Sequence, residues 1–303
     1  MAKGKTVFMF SGQGDQFPGM GREIYESSPA ARAVFDIAEK VRPGTIEQIF
    51  SGSEAELAKT ENTQPCVFCV DLAAAAALKE AGISADMLAG FSLGEIAALA
   101  FSGAVTYEDG FILVCKRAEL MKKASESIDA GMVAVLKMSD EDVTEICREF
   151  EKVFPVNFNC EGQVVVAGLC EEIEPFVNRV KAAGGRAVPL KVGGPFHSPY
   201  MSGAADAFAE VLSTFEIDSA GIPLYSNVTA EPYDGIGSEM KKLLAAQICS
   251  AVLWRKTVEN MLLAGADTFI EAGPGKTLCG LVSRISKNTR LLSYAEAIKE
   301  ITE

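Results

Sequence analysis

The 303-residue chain has one histidine, His197, and one tryptophan, Trp254. It has no excess of basic charge: 28 lysines and arginines face 41 aspartates and glutamates, a formal net charge of −13. That balance excludes the electrostatic footprint of a nucleic-acid binder, and any anionic partner would need a local basic patch. No apolar run approaches the roughly 20 residues of a membrane span. "VFMF" (Val7 to Phe10) is too short for a signal-peptide core, and "SGQG" rather than a cleavage site follows it. The expectation is a cytoplasmic protein with no membrane association. A second CxxC is also missing. Cys66 and Cys69 stand alone in "QPCVFCVDLAAAAAL", where a zinc site needs further ligands, so both are read as packing residues of an apolar helix. Eight cysteines without a disulfide framework suit a reducing compartment. Neither nucleotide-binding loop is complete: "FSGQG" meets Phe17 where G-x-G-x-x-G needs glycine, and "EAGPGKT" has Ile270 where a phosphate loop needs one. No bound cofactor and no metal are expected.

What is present is an ordinary globular composition, 49% hydrophobic and 23% charged. "KTVFMFSGQG" reads as a buried strand ending in a glycine turn. "TQPCVFCVDLAAAAALKEAG" reads as a helix opened by Pro65 and closed by Gly82, "ADMLAGFS" as a strand, and "LGEIAALAFSGA" as a helix. This alternation predicts βα units and a mostly parallel sheet. Across residues 131–192 the order becomes βαββαβ, that of a ferredoxin-like unit, with Ser139 and Asp142 spaced to cap its first helix. After it come a helix at "AADAFAEVLSTFE", a strand at "IPLYSNVTA", helical segments over 239–264, a strand at "TFIEAG" and a final turn and helix. The expected architecture is α/β: a large subdomain over 1–128 and 197–303, with a small subdomain inserted at 129–196.

Three residues carry candidate chemistry. Ser92 lies in "GFSLGE", a G-x-S-x-G between a predicted strand and a predicted helix, as in a nucleophile elbow. The glycines at 90 and 94 leave room for the sharp turn, and the helix N-terminus offers the Leu93 N–H to a developing oxyanion. A Gln13 N–H in the first glycine turn is a candidate second donor. His197 lies in "GGPFHSPY", a stiff loop, and imidazole with its ordinary pKa of about 6.5 suits the base that a serine needs. No aspartate announces itself as a third member, and a backbone carbonyl is the alternative way of orienting the ring. Arg117 is the third. At about 100° per residue it falls in the middle of the apolar arc of the helix over 111–123, between Leu113 and Met121. A buried guanidinium needs an anion, either an internal acid or a substrate carboxylate.

With these residues in view, the chain resembles the malonyl-CoA:acyl-carrier-protein transacylases and the related polyketide synthase acyltransferase domains. The resemblance runs in order through "FMFSGQGDQFPGMG", "TQPCVF", "GFSLGE", "CKRAELM", "PVNFNCEGQVVVAG", "GGPFHSPYM", "YSNVTA" and "EAGPGK". It implies an α/β-hydrolase-like fold with the ferredoxin-like insertion. It implies ping-pong malonyl transfer, for fatty acid or polyketide synthesis, from malonyl-CoA to the phosphopantetheine thiol of acyl carrier protein. Ser92 is then the acylated nucleophile, His197 the base, and Arg117 the grip on the malonyl carboxylate. Gln13 and Leu93 are the oxyanion donors, and Gln247 the residue whose backbone carbonyl orients the histidine. Phe196 matches the malonyl-selective pattern. Two residues depart from the family: Phe91 stands where histidine is usual, and Asp15 where serine is common. The competing readings are a serine thioesterase or esterase, which has no use for Arg117, and a non-catalytic carrier-protein-binding module, which has no use for Ser92 and His197.

Overall fold

The computed structural model describes residues 4–190, 193–234 and 237–302. Two sheets organise it. The larger has five strands, all parallel, in the order β7-β2-β1-β8-β9. The smaller has four antiparallel strands in the order β4-β5-β3-β6.

The chain opens with β1 (Lys5–Phe10), whose last four residues are buried. Four short helices follow: α1 (Arg22–Ser27), α2 (Pro29–Val41), α3 (Thr45–Ser51) and α4 (Glu54–Leu57). Then comes α5 (Thr60–Glu80), which is buried along nearly its whole length. The alanines from Ala73 to Ala77 let its neighbours pack close on all sides, as a helix apolar around its circumference requires. This helix begins five residues before the position expected from Pro65. Lys59 is its N-cap and Pro65 lies inside it, with the Thr63 hydroxyl donating to Lys59 O at 3.1 Å to help hold the first turn. Cys66 and Cys69 are buried free thiols on this helix, and burial pushes Cys66 up to about 12, so both act as packing groups.

Next are β2 (Met87–Gly90), α6 (Leu93–Phe101) and α7 (Tyr107–Ser125). The small sheet then forms in one uninterrupted stretch: β3 (Ala130–Leu136), α8 (Asp140–Arg148), β4 (Val153–Cys160), β5 (Gln163–Leu169), α9 (Cys170–Ala182) and β6 (Arg186–Pro189). Its order is the ferredoxin-like one expected from βαββαβ, with α8 and α9 enclosing a separate core around Val143, Val164 and Phe176. A strand was expected over 186–192. It ends at Pro189, and residues 191–192 lie outside the described residues.

The chain returns through α10 (Ser202–Ser213), β7 (Leu224–Tyr225), α11 (Gly237–Gln247), α12 (Trp254–Leu263), β8 (Ala266–Ala272), α13 (Thr277–Ile285), β9 (Arg290–Ser293) and α14 (Tyr294–Thr302). The strand expected across "IPLYSNVTA" is only two residues long. After Tyr225 the backbone turns, with Ala230 N donating to Ser226 O at 2.9 Å and Ala230 at φ 60°. Strand β4 of the small sheet is tied to the segment just before α12. The irregular register of β4 near Asn157 leaves Phe158 N to donate to Val252 O and Val156 O to accept from Val252 N, both at 2.9 Å.

Candidate active site

The parallel register sets β1 and β2 side by side, so the turns that follow them are adjacent at the carboxyl end of the sheet. Open parallel sheets place ligands there. Phe91 N donates to Phe10 O at 3.0 Å and ties the two turns together. Ser92 sits at the N-cap of α6 with φ 54° and ψ −106°, a backbone that L-residues rarely adopt. The glycines flanking it are sterically required. A Cβ on Gly90 would lie 1.9 Å from Gly94 C, and one on Gly94 would lie 2.3 Å from Phe10 O. The strain is held by hydrogen bonds on both sides of the serine: Ser92 N donates to Asn227 Oδ1 at 2.8 Å, and Ser92 O accepts from Gln247 Nε2 at 2.8 Å.

His197 comes to this serine from 105 residues away, Oγ to Nε2 at 2.8 Å. Its backbone is also left-handed, at φ 63°, and its N–H donates to Ile248 O at 3.1 Å. Nδ1 lies 2.8 Å from the Gln247 backbone carbonyl. A carbonyl only accepts, so Nδ1 carries the proton and Nε2 presents its lone pair to the serine. The ring is 5% exposed. Burial, and then the Arg117 charge, hold its pKa down at about 4.

Arg117 is fully buried on α7, as its place on the helix wheel implied. Of the two anions considered for it, no internal acid pairs with it directly among the described residues. Nη1 donates to Gln64 Oε1 at 2.6 Å, and Nη2 donates to Gln247 Oε1 at 2.7 Å and to Ser92 Oγ at 3.0 Å. Nε has no partner. Burial lowers its pKa only to about 10, with Glu95 pulling the other way, so it remains a cation at neutral pH.

The side chains that hold this arrangement have no role in the sequence reading, which uses only the backbone carbonyl of Gln247. Gln247 uses its carbonyl for His197 and its amide for Ser92, Arg117 and the buried Glu95, the last at 2.6 Å from Nε2. Asn227 donates from Nδ2 to Gly90 O at 2.7 Å and from its backbone to Glu95 Oε2 at 3.2 Å. Tyr233 donates its hydroxyl to Glu95 Oε1. Apart from Gln247 and His197, which are 50 residues apart, these partners lie 130 to 155 residues apart along the chain, and only their shared buried polarity could have linked them.

The remaining expected residues sit as follows. Gln13 lies in the turn after β1, and Leu93 is the first residue of α6, where helix N–H groups lack intrahelical acceptors. Phe196 is buried beside His197. Phe91 packs its ring against Trp254, centroids 5.5 Å apart, in a core cluster on the other side of the elbow. Asp15 accepts from the Thr277 hydroxyl. Near it, Asp71 is fully buried with neither carboxylate oxygen hydrogen-bonded.

The family model described as "Acyl transferase domain" matches residues 7–299. The chain belongs to that family. A relative from Bacillus subtilis (strain 168), named malonyl CoA-acyl carrier protein transacylase, is 37% identical over 298 residues, covering 96% of this chain and 94% of its own. The crystal structure of malonyl CoA-acyl carrier protein transacylase from Clostridium perfringens superposes with a TM-score of 0.93 at 36% identity, covering 98% of this chain and 96% of that one. A second structure holds a type II PKS acyl-carrier protein in complex with its malonyl-transacylase. It matches with a TM-score of 0.92 at 31% identity, over 98% of this chain and 99% of that one. Family, fold class and catalytic class all agree with the sequence reading.

Proposed function

We propose that this chain transfers the malonyl group of malonyl-CoA to the phosphopantetheine thiol of an acyl carrier protein, as an acyl-carrier-protein S-malonyltransferase. The observation that carries this is Arg117. It is a fully buried cation with an unpartnered Nε, in contact with a serine that itself contacts histidine. A carboxylate-bearing acyl group satisfies that cation, and a simple ester does not.

His197 Nε2 takes the proton as Ser92 Oγ attacks the thioester carbonyl. The oxyanion forms against the N–H groups of Gln13 and Leu93. Collapse expels the CoA thiol, which leaves with that proton. In the second half, the imidazole takes the carrier thiol's proton, the thiolate attacks the malonyl-serine, and Ser92 is regenerated. The Gln247 carbonyl keeps the ring in one tautomer without adding a charge. Phe196 crowds a 2-methyl branch and favours malonyl. Residues 129–196 act as the small subdomain against a large one made of 1–128 and 197–303. The phosphopantetheine arrives on the partner, so the chain itself needs only side chains and backbone N–H groups. A reducing cytoplasm is the compartment that suits eight free thiols, and no helix among the described residues is long and apolar enough to cross a membrane.

Intact-protein mass spectrometry tests the reading. Malonyl-CoA alone should add one malonyl mass to the wild type and none to Ser92→Ala. Equal labelling of both would remove Ser92 as the nucleophile, and hydrolysis faster than transfer to a carrier thiol would favour a thioesterase.

A further inference from the structure

Glu95 is fully buried, and every contact it makes leads to the site. Oε2 accepts from Gln247 Nε2 at 2.6 Å and from Asn227 N at 3.2 Å, and Oε1 accepts from the Tyr233 hydroxyl. The donors to Oε2 determine which way round the Gln247 amide sits. Its nitrogen faces Glu95 and Ser92 O, and its oxygen therefore faces Arg117. The carboxylate is one amide away from the guanidinium. The titratable groups that face it are Arg117 from α7 and Tyr233 from the turn after β7, while Asn227 and Gln247 are neutral.

We propose that Glu95 is a positioning residue that exchanges charge with the substrate: ionised in the free enzyme above neutral pH, it takes up a solvent proton there when the malonyl carboxylate docks on Arg117. This rests on the reading of Arg117 as the malonyl grip. With malonyl bound, the water-excluded site would hold two anions and one cation, and like charges at close range cannot both stay ionised. Acetyl brings no second anion and requires no proton.

The hydrogen bonds allow the exchange without disturbing the site. Oε2 is already filled by two N–H donors, so the proton goes to Oε1. There the Tyr233 hydroxyl, which both donates and accepts, turns to accept it and donates instead to the nearby Ser226 hydroxyl. Gln247 keeps both its amide orientation and its carbonyl on His197. Burial has already pushed the Glu95 carboxyl up to about 7, so little is needed to complete its protonation near neutral pH.

The test is the half-saturation concentration for Ser92 acylation, from single-turnover kinetics between pH 5.5 and 9, with malonyl-CoA and acetyl-CoA. CoA phosphate and His197 titrations are common to both substrates and cancel in the comparison. For the wild type, the malonyl value should rise above neutrality, approaching about tenfold per pH unit, while the acetyl value stays flat. Glu95→Gln should flatten the malonyl curve. Tyr233→Phe, which loses a donor to the ionised carboxylate, should move the rise to higher pH. A malonyl rise retained in Glu95→Gln, or a parallel rise with acetyl, overturns the proposal. If Glu95→Gln does not fold, an unmoved midpoint in Tyr233→Phe overturns it. Arg117→Ala separates the two levels. An unchanged malonyl-to-acetyl ratio there removes the grip and this proposal together. A collapsed ratio with the Glu95→Gln rise intact removes Glu95 alone.

Discussion

Removing the Arg117 guanidinium should change which acyl group is transferred more than whether transfer occurs. In the free enzyme the guanidinium is held by two neutral amides and the Ser92 hydroxyl. On the proposed function, an arriving malonyl carboxylate would make it half of a desolvated ion pair. Truncating one side of such a pair costs about 2–5 kcal/mol, or about 30- to 5,000-fold at roughly 1.4 kcal/mol per decade. Acetyl makes no pair, so it loses only the 3.0 Å contact on Ser92 Oγ and the hydrogen bonds to the Gln64 and Gln247 amides; Gln247 stays held through Ser92 O and Glu95, and we expect acetyl transfer to stay within a few-fold of wild type. Arg117→Met, which better preserves volume, should behave like Arg117→Ala and so separate lost charge from a new cavity. Arg117→Lys should recover only part of the malonyl rate, since an ammonium cannot make the forked contact. The assay is kcat/KM for CoA release from malonyl-CoA and acetyl-CoA across these variants. Equal losses for both substrates in Arg117→Ala and Arg117→Met would refute the reasoning and leave Arg117 as structural support for Gln64 and Gln247.

His197→Ala should slow both half-reactions by about 10²–10⁴-fold, measured separately as Ser92 acylation and carrier-dependent deacylation, because no second histidine exists to replace it. In the wild type, the acid limb of kcat/KM should lie near pH 4 rather than 6.5, since burial and Arg117 hold the imidazole neutral. A limb at 6.5 would show that the ring is hydrated and unperturbed. Asp71→Asn should flatten the pH dependence of stability. Burial raises the Asp71 carboxyl well above its ordinary value, with Asp15 and Glu271 adding to it. The folded state therefore keeps a proton that the unfolded chain has released, and stability falls as pH rises toward the folded pKa. From pH 6.5 to 8 the opposing contribution of His197, whose folded pKa is lowered, is absent, since it is confined to about 4–6.5; Glu95, raised to about 7, adds a fall that wild type and Asp71→Asn share, so the difference between the two reports Asp71. Wild-type melting temperature should drop across that window and Asp71→Asn should drop less; identical slopes would mean Asp71 is ionised in the folded protein.

Ser92, His197 and Arg117 were legible because each broke a local rule: a serine between glycines at a strand-to-helix turn, a lone imidazole on a proline-stiffened loop, and a cation in an apolar arc. The residues that hold them were not, because Gln64, Glu95, Asn227 and Tyr233 break no rule until folding buries them together. The parallel sheet and the inserted βαββαβ unit followed from alternation of strand and helix patterns. The errors came where tertiary contacts overrode local signals. Pro65 was taken as a helix start, yet α5 begins at Thr60, where the chain is already buried and bonded. The stretch around Asn227 has strand composition, but it turns after Tyr225, and that turn carries Asn227 toward Gly90 and Ser92.

The ring contact between Phe91 and Trp254 gives the chain an optical reporter of its own. All indole fluorescence comes from this one residue, which has no solvent exposure and lies one ring contact from the residue bonded to Ser92. An indole this buried should emit at short wavelength, with no second tryptophan to dilute the signal. On the proposed function, acylation of Ser92 should reach the fluorophore through the Phe91 ring, and stopped-flow emission on the unlabelled protein is the measurement that checks it.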